Sequence, residues 1–140
     1  VVVGGGLVGL DVAEVLSTTA DRVTIVEKGS RAGGVLEWNL REMRLASLRH
    51  YGVNIMMQSQ LIRCERSAVM VCNSSGDEQR IQADVLVLAL GSVPDNPLPQ
   101  LAGALSCPQT FIGDCRNPAG LTEALSQGRS AGRMSISYDA

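Results

Sequence analysis

The chain opens Val1-Val2-Val3-Gly4-Gly5-Gly6-Leu7-Val8-Gly9, and this stretch decides the fold. An apolar strand that runs into G-x-G-x-x-G and then a helix is the phosphate-binding turn of a dinucleotide fold. Each spaced glycine has a task. Gly4 allows the tight turn, Gly6 lets backbone approach a pyrophosphate, and Gly9 lets the helix pack closely on the strand. The helix start then offers free N–H groups and a partial positive charge to an anion. Gly4, Gly5, Gly6, Leu7, Val8 and Gly9 are therefore the first candidate cofactor residues.

Glycine-rich turns also arise by chance, so the order of the downstream elements has to support the reading. Asp11-Val12-Ala13-Glu14-Val15-Leu16 continues as a helix and Val23-Thr24-Ile25-Val26 reads as the next strand. Glu27 closes that strand at the spacing expected of a ribose-binding carboxylate. A carboxylate accepts hydrogen bonds from the ribose hydroxyls and repels a 2′-phosphate, which favours NAD over NADP. Lys28 and Arg31 stand close enough to soften that preference by covering the ribose, or are ordinary solvated charges. Lys28 joins Glu27 among the candidates. The alternative is an empty turn and an acid that merely ends a strand in solvent.

At 140 residues with a net charge of −2, the chain can build one domain with a real core and shows no nucleic-acid footprint. Its apolar runs are of strand length, so no membrane span is expected. The start lacks the pattern of a signal peptide, which points to a cytoplasmic protein. The first residue is Val1, in the apolar middle of a strand, which reads as a fragment with sequence upstream. Cys64, Cys72, Cys107 and Cys115 form neither C-x-x-C nor a compact Cys/His set, so no metal site is expected. They read as reduced, small buried side chains, although Cys64 and Cys72 can approach across a hairpin and Cys115 sits beside a cofactor loop.

Leu36 to Tyr51 reads as an amphipathic helix ended by Gly52. Leu40, Met43, Leu48 and Tyr51 lie on one flank, with Arg41, Glu42, Arg44 and Arg49 largely on the other. Trp38 reads as a packing residue. His50, in the last turn, suits the helix dipole and has no catalytic partner beside it. Val53 to Met57 reads as a third parallel strand. The pattern then changes to a β-meander of about Ser59–Glu65, Ala68–Cys72 and Gln79–Ile81, with Asn73–Asp77 as its turn. Val85 to Leu90 is apolar at every position, as expected of a central parallel strand covered on both faces. Ligands lie beyond the carboxyl ends of such strands, so Gly91 belongs near the nucleotide. Asp95–Pro108 reads as a crossing loop. A short strand Thr110–Ile112, the loop Gly113-Asp114-Cys115 and a helix from about Leu121 to Met134 come after it.

Several of these segments together resemble the pyridine nucleotide-disulfide oxidoreductase superfamily. They are Val2 to Gly9, Ile25-Val26-Glu27-Lys28, Ala83 to Pro94, and Phe111-Ile112-Gly113-Asp114-Cys115 before Glu123-Ala124 and Gly128. Within it the chain is most similar to the carboxyl-terminal part of the NADH:flavin oxidoreductases of the 2,4-dienoyl-CoA reductase and trimethylamine dehydrogenase type.

The resemblance implies an α/β fold: a Rossmann-like parallel sheet with a β-meander crossover, plus the last strand and helix of an incomplete FAD-binding domain. Residues 1–105 would bind NAD(P) and residues 106–140 would complete the FAD domain, with Asp114 on the ribityl or pyrophosphate part of FAD and Gly113 beside it. A carboxylate capping the following helix is the other reading of Asp114. Asp11 stands where the family often carries a glutamate near flavin and nicotinamide, and is shorter. The upstream FAD glycine motif and a redox cysteine pair are absent from this chain, as is the FMN and iron–sulfur barrel of some relatives. The resemblance therefore implies a part of an FAD-dependent NAD(P)H oxidoreductase that is inactive alone. It positions nicotinamide for hydride transfer to FAD, with no acid/base residue of its own. The same fold can instead hold ADP or AMP without catalysis, or bind FAD directly at Gly4–Gly9.

Overall fold

Strand β1 (Val2–Val3) has nowhere to hide its valines except between two layers, and both are buried. A computed structural model, which describes residues 1–96 and 103–136, shows how this is done. The chain divides into two compact units, Val1–Gly91 and Ser92–Ala140. In the first, β1 pairs in parallel with β2 (Thr24–Val26), β2 with β3 (Asn54–Met56), and β1 on its other side with β7 (Val87–Leu88). The order β3-β2-β1-β7 is that of a Rossmann-like sheet.

Helices α1 (Leu7–Leu16) and α2 (Trp38–His50) cover one face. Leu10 and Ala13 of α1 and Leu45 and Leu48 of α2 pack there with Val2 and Ile25. The opposite face carries an antiparallel meander, β4 (Ser59–Cys64), β5 (Ala68–Asn73) and β6 (Glu78–Gln82), whose Val69 and Val71 pack against Val26. Ile25 and Val26 thus send consecutive side chains into the two cores, the period of two that a strand dictates. The β5–β6 turn is built by Asn73, whose Oδ1 accepts from the N–H groups of Ser75 and Asp77, 2.9 Å each. On the meander's surface Arg80 and Arg63 hydrogen-bond Glu65 and hold its carboxyl below the usual range.

In the second unit, Gly113–Cys115 forms one 3₁₀ turn, and α3 (Leu121–Ile136) follows. The Gly113 N–H donates to Gln127 Oε1 at 2.7 Å, which ties the turn to α3.

Several expectations need correction. The packed flank of α2 is Leu45 and Leu48, with Arg41 and Arg44 part-buried beside them; Leu40, Met43 and Tyr51 face outward. Trp38, at the first turn of α2, is 62% exposed rather than packed. Strand β7 lies at the edge of its sheet, with Val85, Leu88 and Leu90 exposed, because among the described residues no further strand lies beyond it. No cysteine is buried: Cys64 and Cys107 are exposed and Cys72 and Cys115 intermediate.

Cys64 pairs in register with Val69 and Cys72 with Gln60, so the hairpin does not bring the two thiols opposite each other. Thr110–Ile112 forms no strand. Ile112 is extended but has no ladder partner among the described residues, and a strand is defined by that pairing. Of the expected crossing loop, residues 97–102 lie outside the described residues, and the described remainder carries no helix or strand. No described helix is long and apolar enough to cross a membrane.

Candidate functional site

The strand order reverses at β1: β2 lies to one side of it and β7 to the other. A crevice opens at such a point beyond the carboxyl ends of the strands, and the glycine turn leaves β1 into it. Gly4 has φ +106, open to glycine but strained for other residues, and its N–H donates to Val26 O at 2.9 Å. A Cβ on Gly4 would overlap the carbonyl oxygen of Ala89, and one on Gly9 would overlap the carbonyl oxygen of Gly4. Gly4 and Gly9 are therefore required by the protein's own packing.

Gly6 differs. It is the N-cap of α1 with φ −72 and ψ −174, ordinary extended backbone, and a Cβ there would meet nothing within 4 Å. No side chain caps the helix start, and its first turn carries no acidic residue. The space over Gly6 and the helix N-terminus is thus open and unfilled by protein, which fits a pyrophosphate. Leu7 and Val8 are exposed at the same turn.

Gly5 is held between other residues. Its N–H donates to Glu27 Oε2 at 2.6 Å and its carbonyl accepts from the Gly33 N–H at 2.6 Å. The other Glu27 oxygen, Oε1, accepts from Gly29 N–H at 2.6 Å. Each oxygen keeps capacity for a further donor, so the carboxylate can still take ribose hydroxyls. Glu27 reaches toward the glycine turn, whereas Lys28, the next residue, lines a cleft of about 340 Å³ on the meander side with Ser30, Gln58, Gln60, Asn73 and Ser74. Arg31 is exposed.

Asp11 does not stand free over the turn. Arg44 of α2 bonds both Asp11 and Glu14, the latter at 3.0 Å, so one guanidinium clasps two successive turns of α1. Gly91, with φ +88, comes just after Ala89, the residue that touches Gly4. In the second unit, Asp114 Oδ1 accepts from Ala119 N–H at 3.2 Å and so braces the approach to α3. The Cys115 thiol bonds Ile112 O at 3.0 Å. Among the described residues no cluster of His, Cys, Asp and Glu is placed to hold a metal.

The structure thus brings Gly4–Gly9 and Glu27 together, sets Gly91 near the turn's supporting strand, and turns Lys28 to the other face. Sequence reading missed Arg44, Ala32 and Gly33. Ala32 is fully buried, and its Cβ would lie 3.0 Å from a Cβ on Gly5. The small run Ala32-Gly33-Gly34 was the available signal for that close approach. Arg44 gave none, because its partners lie on another helix.

The family model described as pyridine nucleotide-disulphide oxidoreductase matches residues 1–128. The ferredoxin–NAD(+) reductase component of the biphenyl dioxygenase system of Paraburkholderia xenovorans (strain LB400) is 30% identical over 125 residues, 79% of this chain and 31% of that protein. Histamine dehydrogenase from Rhizobium sp. 4-9 has a TM-score of 0.79 at 19% identity, over 94% of this chain and 22% of that one. A 2-naphthoyl-CoA reductase in complex with 2-naphthoyl-CoA has a TM-score of 0.73 at 23% identity, over 91% of this chain and 19% of that one. The two structural likenesses speak to the fold. This chain spans less than a third of the length of each of the three.

Proposed function

This chain belongs to the pyridine nucleotide-disulphide oxidoreductase family, and we propose that it is the module of a flavin-dependent oxidoreductase that holds NADH for hydride transfer to FAD. The observation that carries this reading is the open, uncapped turn at Gly6, set where the strand order reverses and flanked by the Glu27 carboxylate. In this reading the N–H groups at the start of α1 receive the pyrophosphate, and Glu27 accepts the ribose hydroxyls and disfavours a 2′-phosphate. Gly91 borders the crevice, Lys28 lies outside it in the cleft against the meander, and Gly113 and Asp114 hold the flavin. Asp11, engaged by Arg44, serves the helix pair before it serves the nicotinamide. The bound cofactors supply the redox chemistry, nicotinamide as hydride donor and flavin as acceptor, while the chain supplies position and electrostatics.

Residues 1–105 form the NAD-binding part and residues 106–140 the end of a FAD-binding domain in this reading. The rest of that domain lies in the longer protein, with an FMN barrel in the 2,4-dienoyl-CoA reductase type. The final electron acceptor there is an enoyl thioester or related substrate.

The test is titration of the intact flavoprotein with NADH, NADPH and ADP, together with anaerobic bleaching of its flavin. NADH should bind more tightly than NADPH by about tenfold or more, a difference of about 1.4 kcal/mol, and should bleach the flavin. Equal affinity for ADP and NADH without bleaching would instead identify a module that holds ADP. Failure of all three to bind would remove the nucleotide site.

A further inference from the structure

We propose that Glu27 is a positioning residue for the phosphate turn, beyond any contact it makes with ribose: its carboxylate fixes the orientation of the Gly5 peptide and with it the backbone that meets the pyrophosphate. The inference rests on the dinucleotide reading above. A turn that binds an anion through backbone N–H groups works only if each peptide plane points the right way. At Gly5 both polar groups are engaged by the protein, the N–H donating to Glu27 Oε2 and the carbonyl accepting from the Gly33 N–H, both at 2.6 Å. The peptides after Gly5 are then left to face the ligand, at the open side of Gly6.

An ionised carboxylate suits this task. It only accepts, it has two oxygens, and bonds to it from N–H groups are short and strong. Its second oxygen takes the Gly29 N–H at 2.6 Å, and the Gly29 carbonyl in turn accepts from Gln58 N–H at 3.0 Å. Gln58 has φ 50, a left-handed conformation that side-chain-bearing residues seldom adopt, so the brace ends in a backbone held off its preferred form. The same brace accounts for Gly5, the middle glycine of the run. A Cβ on Gly5 would lie 3.1 Å from Glu27 Oε2 and 3.0 Å from the Ala32 Cβ. Glutamine in place of Glu27 would keep one acceptor oxygen and set an NH₂ against the other N–H.

The experiment compares ADP with 2′,3′-dideoxy-ADP, which keeps the pyrophosphate and lacks the ribose hydroxyls, on the intact wild-type protein and on Glu27→Gln and Glu27→Ala. Binding is measured well below the melting temperature of each, and amide exchange of the segment containing Gly5 is followed by mass spectrometry without ligand. Both variants should lose affinity for dideoxy-ADP by about tenfold or more, the scale expected when a hydrogen bond to a charged group is removed. Exchange in the turn should quicken. Unchanged affinity for dideoxy-ADP beside weakened ADP would overturn the proposal and leave Glu27 as a ribose reader alone. A wild-type protein that binds neither nucleotide would instead remove the dinucleotide reading, and the exchange measurement on Glu27→Gln would still decide the brace: unchanged protection overturns it.

Discussion

Gly6 and Gly9 are three positions apart in one motif, yet they are glycines for opposite reasons. Gly9 answers to the protein, because a methyl there would overlap the Gly4 carbonyl oxygen. Gly6 has open space beside it and unstrained backbone, so nothing within the fold requires glycine there, and the proposed pyrophosphate contact does. Gly9→Ala should therefore destabilise the fold by about 1–3 kcal/mol, as overpacked sites do. Gly6→Ala should cost under about 1 kcal/mol, the effect of a poorer N-cap, while weakening ADP binding by about tenfold or more. Melting curves and ADP titrations of the two variants check both halves. The motif's letters announce all three spaced glycines alike, and only the folded backbone separates those required by packing from the one left open.

Among the elements, α2 shows where pattern reading stops. Its existence, extent and terminal Gly52 were legible, because they depend on local signals. Its buried flank was not. Leu40, Met43 and Tyr51 look as apolar as Leu45 and Leu48, and which stripe faces inward is settled by the sheet, not by the helix. Arg41 and Arg44 beside Leu45 and Leu48 further disguised that flank, since a long side chain can lay its stem on apolar surface and send its charge to a partner, here Asp11 and Glu14 for Arg44. Leu45→Ala should cost about 2–5 kcal/mol and Leu40→Ala, at a position 53% exposed, within about 0.5 kcal/mol. Chemical denaturation of the two single variants measures the difference. Strand β7 repeats the lesson, since its run of apolar residues said that it wants cover and not where in the sheet it lies.

At the scale of the whole molecule, the two units differ in what holds them. Both apolar clusters lie in Val1–Gly91, whereas among the described residues of the second unit none is buried. Helix α3 has Leu121, Leu125 and Met134 exposed, and a helix of about this length taken alone is marginal in water. A peptide of residues 92–140 should show little helical circular dichroism on its own, whereas residues 1–91 should melt cooperatively. A stable helix in the peptide would mean that it needs no cover. The helix and the Gly-Asp loop before it were both readable along the chain, and only the loop's flavin role came from a resemblance, but what packs against either is long-range information that no local window contains.

Strand β2 ends in two neighbours with opposite destinations: Glu27 reaches the glycine turn, and Lys28 lines the cleft against the meander. Because successive residues of a strand alternate between faces, losing or gaining a single residue before Glu27 would send the acid to the meander and the base to the turn, and would drag Ile25 and Val26 into each other's cores at the same stroke. Substitution can therefore alter positions 27 and 28 one side chain at a time, whereas an insertion or deletion within β2 exchanges the two faces and disturbs both apolar cores at once.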